Sequence, residues 1–523
     1  MRALVILLFL TVVPFAFAEP NATPAIKDGD VVFELNLADP KTRAVVEASG
    51  GVVSNDGPGG EAVLCMSNTS RKPAIRVLLP VDVKPLRGSK LVISGVIQAD
   101  GVEALDPESP LLHYQGLKMQ LYVNSAASGK QYFDGLNLHG TFAARSESRL
   151  ITVPEDATEG AINLGIEKAS GTARFSRIQV RVVRAKQDRP TPTAWRGEAP
   201  QTKYRGVMSP QVFRKDDFDA MASWKINLVR WQMWQEWNDK RTYDDWLAAE
   251  LDDLALALDA AASHGIKVVI DLHSPPERKA ADGTMRMFLE QPLQDQFVRS
   301  WEKIARRFKG NKAIYGYDLI NEPVQKTPSP PELCDWLALQ VKAARAIRAI
   351  DSETPVIIET DNWDSPDTFR WLAPVDIPHV IYQAHMYWPH TYTHQGVKTN
   401  KDITVVPYPG TYADRPLDKE ALRRYLQPVR DFQLAYQVPI YIGEFSAIRW
   451  APGADRYLDD LISIFEEYGW DWSYHAFREW DGWSVEHAEQ PRDRDKHPKA
   501  TGPTERAKVL QKWFSRNAPK KAI

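Results

Sequence analysis

The sequence predicts two domains of different fold class, an N-terminal all-β sandwich of jelly-roll type followed by a TIM-type (β/α)8 barrel. Residues 28–184 contain short apolar runs between Gly, Asp and Pro clusters, with no helical period. From Tyr204 onward, apolar runs typical of strands alternate with amphipathic stretches. A chain of 523 residues is also too long for one ordinary domain.

The N-terminus has the pattern of a secretory signal peptide. Met1-Arg2 is followed by an apolar run from Ala3 to Val13 and by Ala16-Phe17-Ala18, an A-x-A cleavage site. A membrane anchor is the alternative, but this run is too short to span a bilayer. We therefore expect residues 1–18 to be removed and the mature chain, without a membrane span, to be secreted, periplasmic or extracellular.

Composition excludes some functions. The net charge of −3 gives no basic footprint, so nucleic acid is not an expected partner. Cys65 and Cys334 are too few for a disulfide framework, and we expect both to be free. No metal or other cofactor is expected, and we expect a monomer.

The first domain, residues 28–184, is built from predicted strands. In Leu117–Val123, apolar and polar residues alternate, as in a strand with one buried face. The other predicted strands are Val31–Leu35, Ala74–Leu79, Lys90–Ile97, Arg149–Val153, Ala161–Glu167 and Ala173–Val183.

This β-sandwich is similar to the accessory modules in front of secreted polysaccharide enzymes, many of which bind sugars on exposed aromatic rings. None of the chain's 17 Trp precedes Trp195, and the aromatic candidates are Tyr114, Tyr122, Tyr132 and Phe133. We favour a structural module that packs against the next domain, with carbohydrate binding as the alternative.

A linker rich in Pro and polar residues spans residues 185–203, and the predicted barrel spans 204–516. A doubly wound sheet would usually carry a Gly-rich phosphate loop, which is not found here. The predicted barrel strands are Tyr204–Val207, Leu228–Gln232, Lys267–Asp271, Ile314–Leu319, Pro355–Glu359, Val380–His385, Ile440–Glu444 and Asp471–His475. The helical stretches are Trp246–His264, Gln291–Lys309, Pro331–Asp351, Lys419–Ala435 and Ala454–Tyr468.

Polar residues occur at the C-terminal ends of five of these strands, where barrel active sites are built. They are Arg230, His273, Asn321 with Glu322, His385 with Tyr387, and Glu444. Strands four and seven lie on opposite sides of an eight-stranded barrel, so Glu322 and Glu444 face each other across its mouth. Glycoside hydrolysis requires such a pair, and a separation of about 5–5.5 Å gives a covalent intermediate and retention.

This set of residues resembles glycoside hydrolase family 5, the cellulase-like retaining barrels. Asn321-Glu322-Pro323 is similar to the strand-four signature of that family, and Gly443-Glu444-Phe445 to its strand-seven signature. The resemblance implies a β-glycosidase acting on a polysaccharide or oligosaccharide by double displacement, with Glu322 as acid/base and Glu444 as nucleophile. An endo-β-glucanase or β-mannanase is the expected type.

The resemblance also implies binding roles. It places Arg230 near the nucleophile, and His273, Asn321, His385 and Tyr387 around the sugar next to the scissile bond.

The sequence departs from that family at strand eight, where His475 occupies a position usually held by a Trp platform. Trp480 is the candidate replacement. Trp363, just past strand five, and Trp388, beside Tyr387, are the other predicted stacking residues.

Other functions have less support in the sequence. A non-hydrolytic sugar-binding barrel would usually have lost one of the two carboxylates, and an esterase would need a Gly-x-Ser-x-Gly elbow, which the barrel lacks. A glycolipid-cleaving or transglycosylating relative remains an alternative.

The long stretch from Pro389 to Arg415 is expected to form a cleft wall or lid, and its His390 and His394 have metal-like spacing without a further ligand cluster.

Overall fold

The structure is a computed structural model that describes residues 26–57, 60–108, 114–125, 129–132, 136–186, 189–197, 202–276, 279–400 and 405–517. The predicted signal peptide and Phe133 lie outside the described residues. Among the helices of the described part, none combines the length and the apolarity that a membrane crossing requires.

The N-terminal module consists of two antiparallel sheets. Its strands are β1 (Val31–Glu34), β2 (Val52–Ser54), β3 (Val63–Asn68), β4 (Ala74–Val81), β5 (Lys90–Ala104), β6 (Gly116–Ser125), β7 (Gly129–Tyr132), β8 (Leu136–Leu138), β9 (Gly140–Thr152), β10 (Ala157–Glu167) and β11 (Ala169–Arg184). One sheet has the order β2-β3-β11-β5-β9, with β1 on β11, and the other has the order β4-β10-β6-β7, with β8 on β6.

The two sheets share one apolar core. Leu117, Met119, Leu121 and Val123 are fully buried in it, on the face that the alternation in β6 predicts. The jelly-roll class of the module stays a prediction.

A helix, α1 (Pro40–Ala48), lies between β1 and β2. The prediction that residues 28–184 contain strands alone was wrong here. Val46 is the buried residue of this helix, so no apolar period marks it. The signal in the sequence is the cap: Asp39 accepts a hydrogen bond from the Thr42 N–H at 2.9 Å, and Pro40 occupies the first turn.

The second domain contains a closed barrel, as predicted. Its strands are β12 (Arg205–Met208), β13 (Leu228–Gln232), β14 (Lys267–Asp271), β15 (Ile314–Asp318), β16 (Val356–Ile358), β17 (Val380–Met386), β20 (Ile440–Phe445) and β21 (Asp471–Tyr474), and a hairpin of β18 (Gly410–Tyr412) and β19 (Arg415–Leu417) follows β17. Because β12 pairs with β21 in parallel, the sheet has no open edge and is not doubly wound.

Helices of the second domain are α2 (Lys215–Ser223), α3 (Tyr243–His264), α4 (Gln291–Phe308), α5 (Trp336–Arg348), α6 (Asp361–Asp364), α7 (His390–Thr393), α8 (Lys419–Tyr436), α9 (Ala454–Tyr468) and α10 (Glu505–Phe514). The short α6 is irregular, because its Asn362 and Trp363 have left-handed backbone dihedrals. Helix α3 shows how the sequence determines where these helices begin and end and which face is buried. Thr242 caps its start, Gly265 ends it in the left-handed conformation at φ 65°, and Leu247, Leu251 and Leu258 between them are buried against the barrel.

The module packs against loops at the C-terminal end of the barrel. Lys90 of β5 forms a buried ion pair with Asp361, which follows β16. The Leu150 N–H of β9 donates to the Lys326 carbonyl at 2.6 Å, and Arg149 donates to Thr327 at 3.4 Å. The module therefore contacts the loops that follow β15 and β16, the strands that lead to Glu322 and Glu359.

Candidate active site

Arg230, at the end of β13, is fully buried and lies at the centre of the polar cluster at the barrel mouth. Its guanidinium contacts one amide and four carboxylates: Glu444 (2.5 Å), Asp318 (2.8 Å), Glu359 (2.9 Å), Asn321 (3.0 Å) and Asp271 (3.3 Å). Desolvation opposes this buried cation, but the surrounding carboxylates outweigh it and raise the pKa of Arg230 further. Arg230 therefore fixes the relative positions of five side chains from the ends of four other strands, β14, β15, β16 and β20.

Glu322 and Glu444 face each other across the mouth. A carboxylate oxygen of each, together with a nitrogen of His385, lies within 4.8 Å of the others. Glu444 accepts hydrogen bonds from Arg230 at 2.5 Å and from the Tyr387 hydroxyl at 2.8 Å, and its side chain is 6% exposed. The Glu322 side chain is 26% exposed, and its Oε1 lies 3.1 Å from His385 Nδ1.

The two carboxylates have different electrostatic environments. Burial alone would raise the pKa of Glu444, but the charges of His385, His475, Arg230 and His273 hold it well below its ordinary value. Desolvation lowers the pKa of His385, while Glu444 and Glu322 overcome that effect and raise it to about 9. Glu444 is therefore kept ionised by a set of cations around it.

His273 and Asn321 form the side of the site next to Arg230. His273 Nδ1 lies 2.8 Å from Asp271, and its Nε2 lies 3.1 Å from the Asn321 amide nitrogen. The Asn321 oxygen accepts a hydrogen bond from Arg230, and its amide nitrogen contacts His273. These two contacts fix the orientation of the amide and therefore the direction of its second N–H.

Glu359 is a component that the sequence analysis did not recognise. It follows β16, is fully buried, and its Oε2 accepts the Glu322 backbone N–H at 2.6 Å. Its Oε1 accepts from Arg230 and from Gln383. Glu322 itself has a left-handed backbone at φ 48°, so this hydrogen bond holds a conformation that non-glycine residues seldom adopt.

Several of the buried acids around this site have raised pKa values. Desolvation raises the pKa of Asp318 to about 6 and that of Asp364 to about 8, and raises the pKa of Glu359 well above its ordinary value. The physical cause is that one guanidinium and nearby imidazoles cannot balance so many ionised carboxylates in a buried cluster.

The predicted stacking residues have different surroundings. Trp363 is 43% exposed, whereas Trp388 stacks on Tyr425 at 4.9 Å between ring centroids. Trp480 packs edge-on against Trp483 at 5.6 Å. Trp483, which the sequence analysis did not single out, is buried with its ring 6.4 Å from that of Tyr387.

His475 lies at the end of β21, where the sequence analysis placed it, and its Nε2 is 2.6 Å from Glu479. Its ring meets that of Tyr387 edge-on at 6.1 Å. His390 and His394 stack on each other at 3.9 Å, and His394 also contacts Tyr387 at 5.1 Å. The loop after β17 therefore forms part of the wall beside Glu444.

Within the part of the chain that the structure describes, two groups of three side chains have metal-compatible spacing: Glu322 with His385 and Glu444, and Glu359 with Asp364 and His385. Both depend on His385, and the Glu359 oxygens already accept protein N–H groups. Glu359 is thus already engaged in the protein's own hydrogen bonds.

A closed (β/α)8 barrel with two facing carboxylates at its mouth is an arrangement typical of glycoside hydrolases. Residues 191–480, more than half of the chain, match the profile described as Cellulase (glycosyl hydrolase family 5). The chain belongs to glycoside hydrolase family 5.

Relatives include Endoglucanase C of Acetivibrio thermocellus, 29% identical over 246 residues that are 42% of this chain and 70% of the relative. Cellodextrinase A of Ruminococcus flavefaciens is 22% identical over 289 residues, 54% of this chain and 83% of the relative. A solved glycoside hydrolase structure, 22% identical, aligns with 60% of this chain and 100% of its own at a TM-score of 0.48.

Proposed function

We propose that the protein is a retaining β-glycosidase in which Glu444 is the nucleophile and Glu322 the acid/base. The observation that carries this proposal is the approach of the two carboxyl groups, since one oxygen of Glu322 and one of Glu444 lie within 4.8 Å of each other. Retaining enzymes hold these groups about 5–5.5 Å apart, whereas inverting enzymes need about 6.5–9.5 Å to admit a water.

The environments support the two roles. A nucleophile must be ionised, and Glu444 has Arg230 and the Tyr387 hydroxyl as donors and a pKa held low by surrounding cations. Glu322 is the more exposed of the two, at 26%, and lies against the single imidazole of His385. That position lets it reach the glycosidic oxygen of the leaving group.

The reaction then has two balanced steps. A Glu444 oxygen attacks the anomeric carbon while Glu322 gives its proton to the glycosidic oxygen, so the C–O bond breaks and a glycosyl ester forms. Glu322, now a carboxylate, takes a proton from water as the water oxygen attacks the anomeric carbon, which releases Glu444. His385, with Nδ1 3.1 Å from Glu322 and 3.9 Å from Glu444, stabilises the carboxylate in each step.

Asn321 has a geometry suited to the sugar. With its oxygen bound to Arg230, its amide nitrogen donates to the 2-hydroxyl, a contact that strengthens in the transition state. Aromatic contacts come from Trp363, whose exposed ring suits the C–H face of a pyranose.

For the substrate we propose a β-linked glucan-type polysaccharide or oligosaccharide, with a β-mannan as the second candidate. The names of the relatives, an endoglucanase and a cellodextrinase, support the first. We also propose that the enzyme acts outside the cytoplasm after removal of residues 1–18.

The test uses two variants and a control. Glu444→Gln is expected to abolish turnover, and Glu322→Gln to keep slow cleavage of aryl glycosides with good leaving groups. Glu505→Gln, an exposed change on α10, is the control. Full activity of either site variant on a β-glucan would overturn the assignment.

The stereochemical test follows the first-formed anomer by NMR. Retention is expected, and an inverted product would exclude double displacement.

A further inference from the structure

The segment that carries Trp363 has a strained backbone. Asn362, Trp363 and Asp364 all lie in the left-handed region, at φ 62°, 58° and 51°. Three successive non-glycine residues in that region are costly, and such strain is found at ligand-binding positions. The Trp363 side chain on this segment is 43% exposed.

Both ends of this segment are fixed. Asp364 accepts hydrogen bonds from the Thr360 N–H at 2.7 Å and from its hydroxyl at 3.0 Å. Asp361 is paired with Lys90 of the module, and the Trp363 N–H donates to the Pro323 carbonyl at 3.3 Å. Trp363 is therefore tied directly to the residue that follows Glu322.

Two lysines flank the Trp363 ring. Lys279 Nζ lies 6.0 Å from the ring centroid and Lys326 Nζ lies 5.7 Å from it. Desolvation lowers the pKa of Lys279, and two charges act on it as well: Glu322 raises it and Lys326 lowers it. The two ammonium groups and the Glu322 carboxylate are thus close enough to influence one another.

Asp282, three residues after Lys279, is held in place by hydrogen bonds. Its oxygens accept from the Thr284 N–H at 3.0 Å and from the Thr327 hydroxyl at 2.7 Å, and Arg149 of the module is an adjacent cation. The module also fixes Lys326, whose carbonyl accepts the Leu150 N–H.

We infer that Trp363, Lys279 and Lys326 form a subsite on the leaving-group side of the cleft for a sugar with an anionic substituent. The ring face suits a pyranose, and two ammonium groups beside it suit a carboxylate or a sulfate or phosphate ester. The leaving-group side follows from the position next to Glu322, so the inference rests on the proposed acid/base role of that residue.

The test compares kcat/KM for a neutral β-1,4-glucan oligosaccharide with its C6-carboxylated and its sulfated counterparts. For the unaltered enzyme we expect roughly tenfold preference for one anionic form, because two ammonium groups lie beside the Trp363 ring. The preference should fall as salt rises. The form preferred, carboxylated or sulfated, identifies the substituent.

The double variant Lys279→Met/Lys326→Met should reduce this ratio to about one, and Lys303→Met/Lys309→Met, on α4 and its C-terminus, is the matched control. An enzyme without anionic preference, or a preference that survives in the double variant, would overturn the inference.

Failure of the proposed function gives a different pattern. If no β-glycoside is cleaved, the mechanism fails. The subsite can then be tested separately by calorimetry. Dissociation constants are measured for the carboxylated, sulfated and neutral oligosaccharides, with the Glu444→Gln protein and with the same protein carrying Lys279→Met/Lys326→Met. Equal dissociation constants for all three would refute it.

Discussion

The substitution Glu359→Gln tests whether this buried acid positions both catalytic carboxylates. Each Glu359 oxygen accepts an N–H, Oε2 from the Glu322 backbone at 2.6 Å and Oε1 from Arg230 at 2.9 Å. A glutamine has one oxygen only, so its NH2 group must face one of these donors. The side chain is fully buried, so water cannot relieve that conflict.

The expected cost is that of one unsatisfied buried donor, about 1–3 kcal/mol, or roughly five- to 150-fold in kcat. KM should change little, because Glu359 has no route to the substrate. If Glu322 is the group displaced, the defect shrinks for an aryl glycoside with a good leaving group, which needs little acid assistance. If the disturbance passes through Arg230 to Glu444, the loss is equal for good and poor leaving groups.

The assay measures kcat and KM for two aryl β-glycosides of different leaving-group pKa, across a range of pH. The matched control is Glu353→Gln, the same chemical change at an exposed position before β16. The reasoning is refuted if the folded Glu359→Gln enzyme keeps kcat within twofold of the unaltered enzyme, or if Glu353→Gln loses as much.

Two further predictions concern stability. The pKa of His385 is raised from 6.5 to about 9, so the stability from its cation is complete below pH 6.5 and is lost as the pH rises through 9. The free energy of unfolding should fall by about 3 kcal/mol across this pH window. In denaturant titrations, His385→Gln should remove this dependence of stability on pH. An unchanged dependence would contradict the raised pKa of His385. Lys90→Met should destabilise the protein by about 3–5 kcal/mol in thermal or denaturant unfolding, because Asp361 is left buried and unpaired. Lys186→Met, which removes a 54% exposed partner of Glu155, should cost less than about 1 kcal/mol, and similar losses in both variants would refute the buried-pair argument.

The barrel could be predicted from the sequence because strand and helix patterns alternate clearly from Tyr204. The same alternation located Arg230, Glu322 and Glu444, since polar residues at the ends of apolar strands are easily seen. Glu359 could be predicted by the same reasoning, because it ends the predicted strand Pro355–Glu359. Helix α1 was missed because its cap, and not its periodicity, marks it.

Other parts of the site could not be found this way. Asp318 lies inside a buried strand, so its contact with Arg230 depends on which face of β15 points to the barrel interior. Asn and Asp tolerate left-handed conformations, but nothing in the sequence predicts that Trp363 between them adopts one. The two lysines beside its ring come from different loops, and only the folded chain brings them together.

The ion pair between Lys90 and Asp361 has a consequence for the evolution of this chain. Accessory modules joined only by a linker can be exchanged between enzymes by recombination, because neither domain depends on the other. Here, exchange of the module would remove Lys90 and leave the buried Asp361 carboxylate, two residues from Trp363, without its cation. We therefore expect the two domains to be inherited as one unit, with changes at Lys90 accompanied by changes at Asp361.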